Sequence, residues 1–191
     1  MNRRVKMAVL AAGLLVAVMG YLTWAVFQSE AVPKVGQAVP NLSLPEVTAA
    51  GSLGQTVSLS ELKGKPVLLN FFTTWCAPCQ TEAADIAAVG RQWHNKVQIV
   101  LVDRGESAYL VHQFVTRYDL TKAVVLLDQN DNWASRLGVT GQPETFWIDA
   151  NGVIQKHIPS EMGYSQWQAL AKQAASAASP APAQSSASAS S

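Results

Sequence analysis

Apolar residues in this 191-residue chain fall into three kinds of run. One is unbroken: MAVLAAGLLVAVMGYLTWAVF, Met7 to Phe27, is 21 residues without a charge. At 1.5 Å per residue a helix of that length is roughly 30 Å long, the thickness of a bilayer's hydrocarbon core. Others are short and nearly continuous. PVLLNFF (66–72), VQIVLV (97–102) and AVVLL (123–127) have the length and composition of buried central strands. ETFWID (144–149) and GVIQKHI (152–158) flank the turn DANG and predict a hairpin. The third kind is periodic. Cys79, Ala83, Ile86, Gly90 and Trp93 recur at steps of four, three, four and three. Leu110, Val111, Phe114, Val115 and Tyr118 form a second stripe behind Ser107, a candidate N-cap, and Trp167, Leu170, Ala171 and Ala174 a third. Strand, helix, strand, helix, strand, hairpin and helix spell an α/β sandwich with a central mixed β-sheet flanked by helices. The stripes read as core packing and carry no chemistry of their own.

Charge orients the first run. Arg3, Arg4 and Lys6 precede it, so the positive-inside rule puts residues 1–6 in the cytoplasm, makes 7–27 a transmembrane helix and exports the rest. A cleaved secretory signal is the alternative, but its apolar core runs about 7–15 residues and gives way to small residues. Here the run ends in the bulky TWAVF, with only Ser29–Ala31 as a cleavage candidate. Residues 28–35 read as a linker and 36–175 as one folded domain, long enough to bury a real core. Residues 176–191 are Ala, Ser and Pro apart from one Gln and read as a disordered tail. Beyond residue 28 stand 11 basic and 13 acidic side chains, a formal −2, which removes the electrostatic case for nucleic acid. An exported domain meets an oxidising compartment, where paired cysteines persist as a disulfide.

The chemistry gathers in FFTTWCAPCQTEA (71–83), which holds both cysteines of the chain. A structural zinc needs about four ligands, and the histidines His94, His112 and His157 lack the spacing to complete a set. His112 on its helix and His157 on its strand read as ordinary surface residues. Haem attachment wants His directly after the second cysteine, where Gln80 stands. Disulfide exchange fits the placement better. The pair follows a buried strand and opens a helix, whose free N–H groups and dipole favour a thiolate at Cys76. Pro78 falls in the first turn, where its missing N–H costs nothing. Cys79 faces inward with Ala83 and Ile86. An exposed Cys76 would attack a partner's disulfide and a sheltered Cys79 would resolve the mixed disulfide. The pair itself is then the redox group, without metal or further cofactor. A purely structural disulfide stays open at this point.

LLNFFTTWCAPCQTEAADI with GVTGQPETFWIDANGVI resembles the thioredoxin superfamily, and within it the membrane-anchored TlpA/ResA/CcmG (DsbE) branch of bacterial thiol-disulfide oxidoreductases. The resemblance spans about residues 36–172. GESAYLVHQFVTRYDL (105–120) resembles the ResA type and GQPETFWID the CcmG type. It implies a thioredoxin-like sandwich with Pro143 in a cis peptide against the cysteines and the Gln142 backbone turned toward an incoming peptide. It implies an acidic group at Glu82 able to exchange a proton with Cys79 and to raise that thiol's pKa. Trp75 is expected to shape the docking face beside the pair, and Glu144 to touch the partner. Asn70 stands where thioredoxin has a buried Asp, so that proton acceptor is absent and Glu82 takes its place. The implied activity is reduction of protein disulfides, apocytochrome c cysteines among them, with a membrane thiol carrier of the CcdA/DsbD kind as electron donor. The implied location is the bacterial inner membrane, with a single pass and the catalytic domain in the periplasm or extracytoplasmic space. A disulfide-forming oxidase, a peroxiredoxin-like enzyme and a non-catalytic copper chaperone or metal-binding module are the competing readings.

Overall fold

The computed structural model describes residues 2–27 and 32–178. The chain divides into two compact units, Met1–Ala31 and Val32–Ser191. The first is built on one helix, α1 (Arg3–Phe27), which contains the uncharged run. Among the described residues no helix is long and apolar enough to cross a membrane, and what is seen at 7–27 is a helix. Residues 28–31 of the expected linker and 179–191 of the expected tail lie outside the described residues.

The second unit is a seven-stranded sheet with helices on both faces. Its strands are β1 (Ser43–Val47), β2 (Leu53–Ser58), β3 (Val67–Phe72), β4 (Gln98–Asp103), β5 (Val124–Leu127), β6 (Glu144–Ile148) and β7 (Ile154–Ile158). Its helices are α2 (Ala77–Trp93), α3 (Ala108–Arg117), α4 (Asn132–Leu137) and α5 (Tyr164–Ala177), with a single 3-10 turn at Leu59–Leu62. Ser176 and Ala177, expected in the tail, close α5 instead. The strand order is β2-β1-β5-β4-β3-β6-β7. β3, β4 and β5 run parallel, while β6, β7, β1 and β2 join antiparallel. This is the thioredoxin-like sandwich with a mixed sheet.

Side chains alternate between the two faces of a strand, and that parity distributes the chemistry. On β3, Leu68 and Phe72 pack into the layer formed with α2, α3 and α5, whereas Val67, Leu69 and Phe71 face the layer that holds Trp133, Ala134 and Leu137 of α4. All six β3 positions are buried, as a central strand covered on both sides requires. Asn70 shares the α2 face with Leu68 and Phe72. At the carboxyl ends of β3 and β4 the chain leaves the sheet toward the cysteines on one side and Arg104 on the other, the usual place for a site in such sheets.

Candidate active site

Cys76 is the N-cap of α2, with Ala77 and Pro78 in its first turn. The Cys76 sulfur accepts the Cys79 backbone N–H at 3.3 Å, so one of the helix's unpaired donors points at it. Cys76 and Cys79 are joined as a disulfide. The approach to Cys76 is held by a ladder of bonds around Thr74. Its N–H and hydroxyl donate to the Glu106 carboxylate at 2.5 and 2.6 Å, and its carbonyl accepts from Gln80 Nε2 at 2.8 Å.

Cys76 was expected to be exposed and is not. It is 5% accessible, against 3% for Cys79. The cover comes from the loop before β6, where the Gln142–Pro143 peptide is cis and the Gln142 carbonyl lies 3.7 Å from Cys76 Sγ. The residue that does stand out is Trp75, 69% exposed immediately before the pair. Pro143 is buried and Gln142 half-buried.

Glu82 lies one turn beyond Cys79 and is only 2% exposed. One carboxylate oxygen accepts from Met162 N–H and Trp167 Nε1, each at 2.8 Å, and the other from Asn70 Nδ2 at 3.3 Å. Asn70 also donates to Thr145 Oγ1 at 3.0 Å, across the β3–β6 pairing of these two residues. Burial outweighs the three donated bonds and pushes the Glu82 carboxyl up to about 7. The position that thioredoxin fills with an acid is thus a neutral amide handed to a buried acid on the neighbouring helix.

Glu144, expected to touch the partner, is enclosed by groups of this chain. It opens β6 with its side chain on the opposite face from Asn70 and is 2% exposed. One oxygen accepts from Thr140 N, Thr140 Oγ1 and Gly141 N, and the other lies 2.7 Å from His157 Nε2. Burial acts to raise its pKa, but the bonds from Thr140, His157 and Gly141 outweigh it and hold the carboxyl below its ordinary value. His157, read from sequence as a surface residue, is the half-buried partner of this carboxylate and stacks on Phe146 at 4.1 Å between ring centroids. Strand parity is the reason: an inward Phe146 puts its cross-strand neighbour His157, and Glu144 two residues back, on the same face.

Sequence reasoning also passed over Arg104, Glu106 and Asp103. Arg104 grips Asp131 through Nε and Nη2 at 2.7 and 2.5 Å, and its Nη1 donates to the Gly141 carbonyl and Gln142 Oε1. Asp103 is fully buried beneath Glu106, whose N–H it accepts at 2.8 Å. Burial first, then the adjoining Glu106 carboxyl, pushes Asp103 up to about 8. The only signal in the sequence was three charges directly after an apolar strand, DRGE at 103–106. Among the described residues no group of three or more His, Cys, Asp and Glu is arranged to hold a metal ion.

A helix-capped cysteine pair with a cis-proline loop laid on its first sulfur has the arrangement that thiol-disulfide exchange needs, and Glu82 is buried one turn further along the same helix. Residues 35–157 match the AhpC/TSA family. The chain belongs to the AhpC/TSA family. Thiol-disulfide oxidoreductase ResA of Bacillus subtilis (strain 168) is 34% identical over 150 residues, covering 78% of this chain and 80% of ResA. Thioredoxin-like protein YneN of the same organism is 33% identical over 153 residues, covering 76% of this chain and 86% of YneN. Among solved structures, DsbF of MTB, in mixed oxidised and reduced forms, superposes with a TM-score of 0.63 at 25% identity over 71% of this chain and 98% of that one. A thiol:disulfide interchange protein from Chlorobium tepidum TLS gives 0.62 at 25% identity over 74% and 99%. This AhpC/TSA family member is a thiol-disulfide oxidoreductase of the ResA/DsbE type.

Proposed function

We propose that this enzyme works as a reductase of protein disulfides at the outer face of the cytoplasmic membrane. The observation that carries the reading is the seating of Cys76 between the α2 N-terminus and the Gln142 carbonyl. The helix end stabilises a thiolate there, and the loop backbone gives an extended partner chain something to pair with. In the reduced enzyme the Cys76 thiolate attacks one sulfur of the partner's disulfide, and the partner's other sulfur leaves as a thiolate. Cys79 gives up its proton, attacks Cys76 Sγ and expels the partner's second thiolate. Two electrons pass to the partner and the Cys76–Cys79 disulfide remains. Glu82, with a pKa about 7, is suited to take the Cys79 proton and return it when the pair is reduced again.

Each turnover leaves the pair oxidised, so a donor must restore it. A membrane thiol carrier of the CcdA/DsbD kind is the proposed donor, and the uncharged stretch 7–27 the proposed anchor that keeps the domain near it. The proposed substrates are cysteine pairs of exported proteins, apocytochrome c among them. Trp75 is the proposed apolar contact for the partner, exposed beside the attacking sulfur.

In cells, Cys79→Ala stalls the reaction at the mixed disulfide, and the adduct on Cys76 identifies the partner. Absence of any adduct that Cys76→Ser abolishes would sink disulfide exchange. The direction is tested by the reduction potential. A value toward about −200 to −270 mV fits a reductase, and one near about −120 mV an oxidase. Peroxide consumption by the purified protein would favour the peroxiredoxin reading instead.

A further inference from the structure

We infer that Arg104 is the positioning residue that fixes the peptide-docking edge beside Cys76, and that the enzyme's preference for polypeptide over small disulfides runs through it. The inference rests on the disulfide-exchange reading above. It starts from which backbone groups of the 140–142 loop are already taken. Glu144 accepts the N–H groups of Thr140 and Gly141 at 2.9 and 2.8 Å. Arg104 Nη1 donates to the Gly141 carbonyl at 3.3 Å. Both polar groups of the Gly141 backbone are therefore used inside the protein, and Gln142, with its carbonyl at the Cys76 sulfur, is the residue left to meet an incoming strand.

The Gln142 side chain is drawn aside by the same guanidinium, which donates to its Oε1 at 2.9 Å. A free glutamine arm would compete with the partner for that edge and lose rotamer freedom on docking. Arg104 in turn is not free to wander. Its Nε and Nη2 form a bidentate pair with Asp131 at the start of α4, and its backbone N–H donates to the Phe72 carbonyl at 3.1 Å. Phe72 ends β3, the strand that delivers Cys76. One residue thus ties the approach to the attacking sulfur, the start of α4 and the docking loop. Its side chain is 17% exposed, so these bonds work in a partly desolvated setting where they are stronger than on an open surface. A lysine could hold one of these partners but could not reproduce the fork.

The test compares two substrates on the full-length reduced enzyme: a short peptide with an internal disulfide, and hydroxyethyl disulfide, which has no backbone to pair. Loss of bonds from a charged donor at the edge is expected to raise the KM for the peptide about tenfold in Arg104→Met, with kcat within about twofold. The ratio of kcat/KM for peptide over small disulfide then falls by about the same factor, and Arg104→Lys lies between. Asp131→Asn, which keeps an acceptor but frees the fork, should move the ratio in the same direction and covers the case in which Arg104→Met fails to fold. Equal losses on both substrates, or an unchanged peptide KM in both variants, would overturn the proposal. Failure of the wild type to reduce either substrate would instead remove the disulfide-exchange reading beneath it.

Discussion

Two buried glutamates flank this site and take opposite electrical characters, although each is 2% exposed. Glu144 collects three donors from Thr140 and Gly141 besides His157, enough to satisfy an ionised carboxylate. Glu82 collects one backbone N–H, one indole and a longer amide bond, which do not offset its burial. Its carboxyl therefore keeps a proton up to about 7 instead of the ordinary 4.5. The sign for stability follows from linkage. The unfolded chain ionises first, so wild type loses stability as pH rises from about 4.5 to about 7, by on the order of 3 kcal/mol. Glu144 has the reverse sign: its contribution is present above the ordinary carboxylate range and is lost as pH falls. Glu82→Gln mimics the neutral acid and escapes the first loss. Urea unfolding at several pH values should find it close to wild type near pH 4–5 and more stable by roughly 2–3 kcal/mol near pH 8. A difference that stays constant with pH would mean Glu82 does not change charge in that interval. Neither character was legible in the sequence. Glu82 and Glu144 each stand next to a recognisable motif, but only the packing of α2 on β3 and α5 brings Asn70, Met162 and Trp167 to the one, and only the parity of β6 brings His157 to the other.

At the scale of elements, what repeats or runs apolar was readable and what is capped from a distance was not. β3, β4 and β5 were visible as apolar runs, α2, α3 and α5 as stripes, and the Ser107 N-cap donates its role as expected, accepting Leu110 N–H at 3.3 Å. The β1–β2 hairpin was missed because β1 carries Pro45 and β2 is an edge strand whose first four residues are exposed, so neither shows a buried pattern. α4 was missed because it is six residues long and its cap lies off its end. Its N-cap residue Asp131 makes no side-chain bond to the helix, since its carboxylate is turned to Arg104. The buried Asp128 serves instead, accepting the N–H groups of Asn132, Trp133 and Ala134 at 2.8, 2.8 and 3.1 Å. Three of the helix's four unpaired donors thus depend on one carboxylate. Asp128→Ala should cost about 2 kcal/mol, at the upper end for a cap, and lower the Tm by roughly 4–8 °C in calorimetry. Asp128→Asn should recover part of it. A Tm shift near zero would mean that water caps α4 equally well.

At the scale of the whole molecule, the groups proposed for the chemistry, Cys76, Cys79 and Glu82, and those proposed for docking, Arg104 and Gln142, lie in the unit Val32–Ser191. The seven strands, both core layers and the bonds around the cysteine pair are also internal to it. A chain that begins at Val32 keeps all of these groups and is expected to fold and to reduce a peptide disulfide in solution with the kcat/KM of the full protein. The proposed anchor would matter for the other half of the cycle. A donor embedded in the membrane meets an anchored domain at a high effective concentration, an advantage that a diffusing domain lacks. The expectation is a split between the two assays. With the shortened chain exported by a cleavable leader, thiol trapping in cells should find the Cys76–Cys79 pair more oxidised than in the full chain, while the purified proteins match. Equal reduction of the two forms in cells would show that recycling does not depend on residues 1–31, and would leave α1 without the role proposed for it.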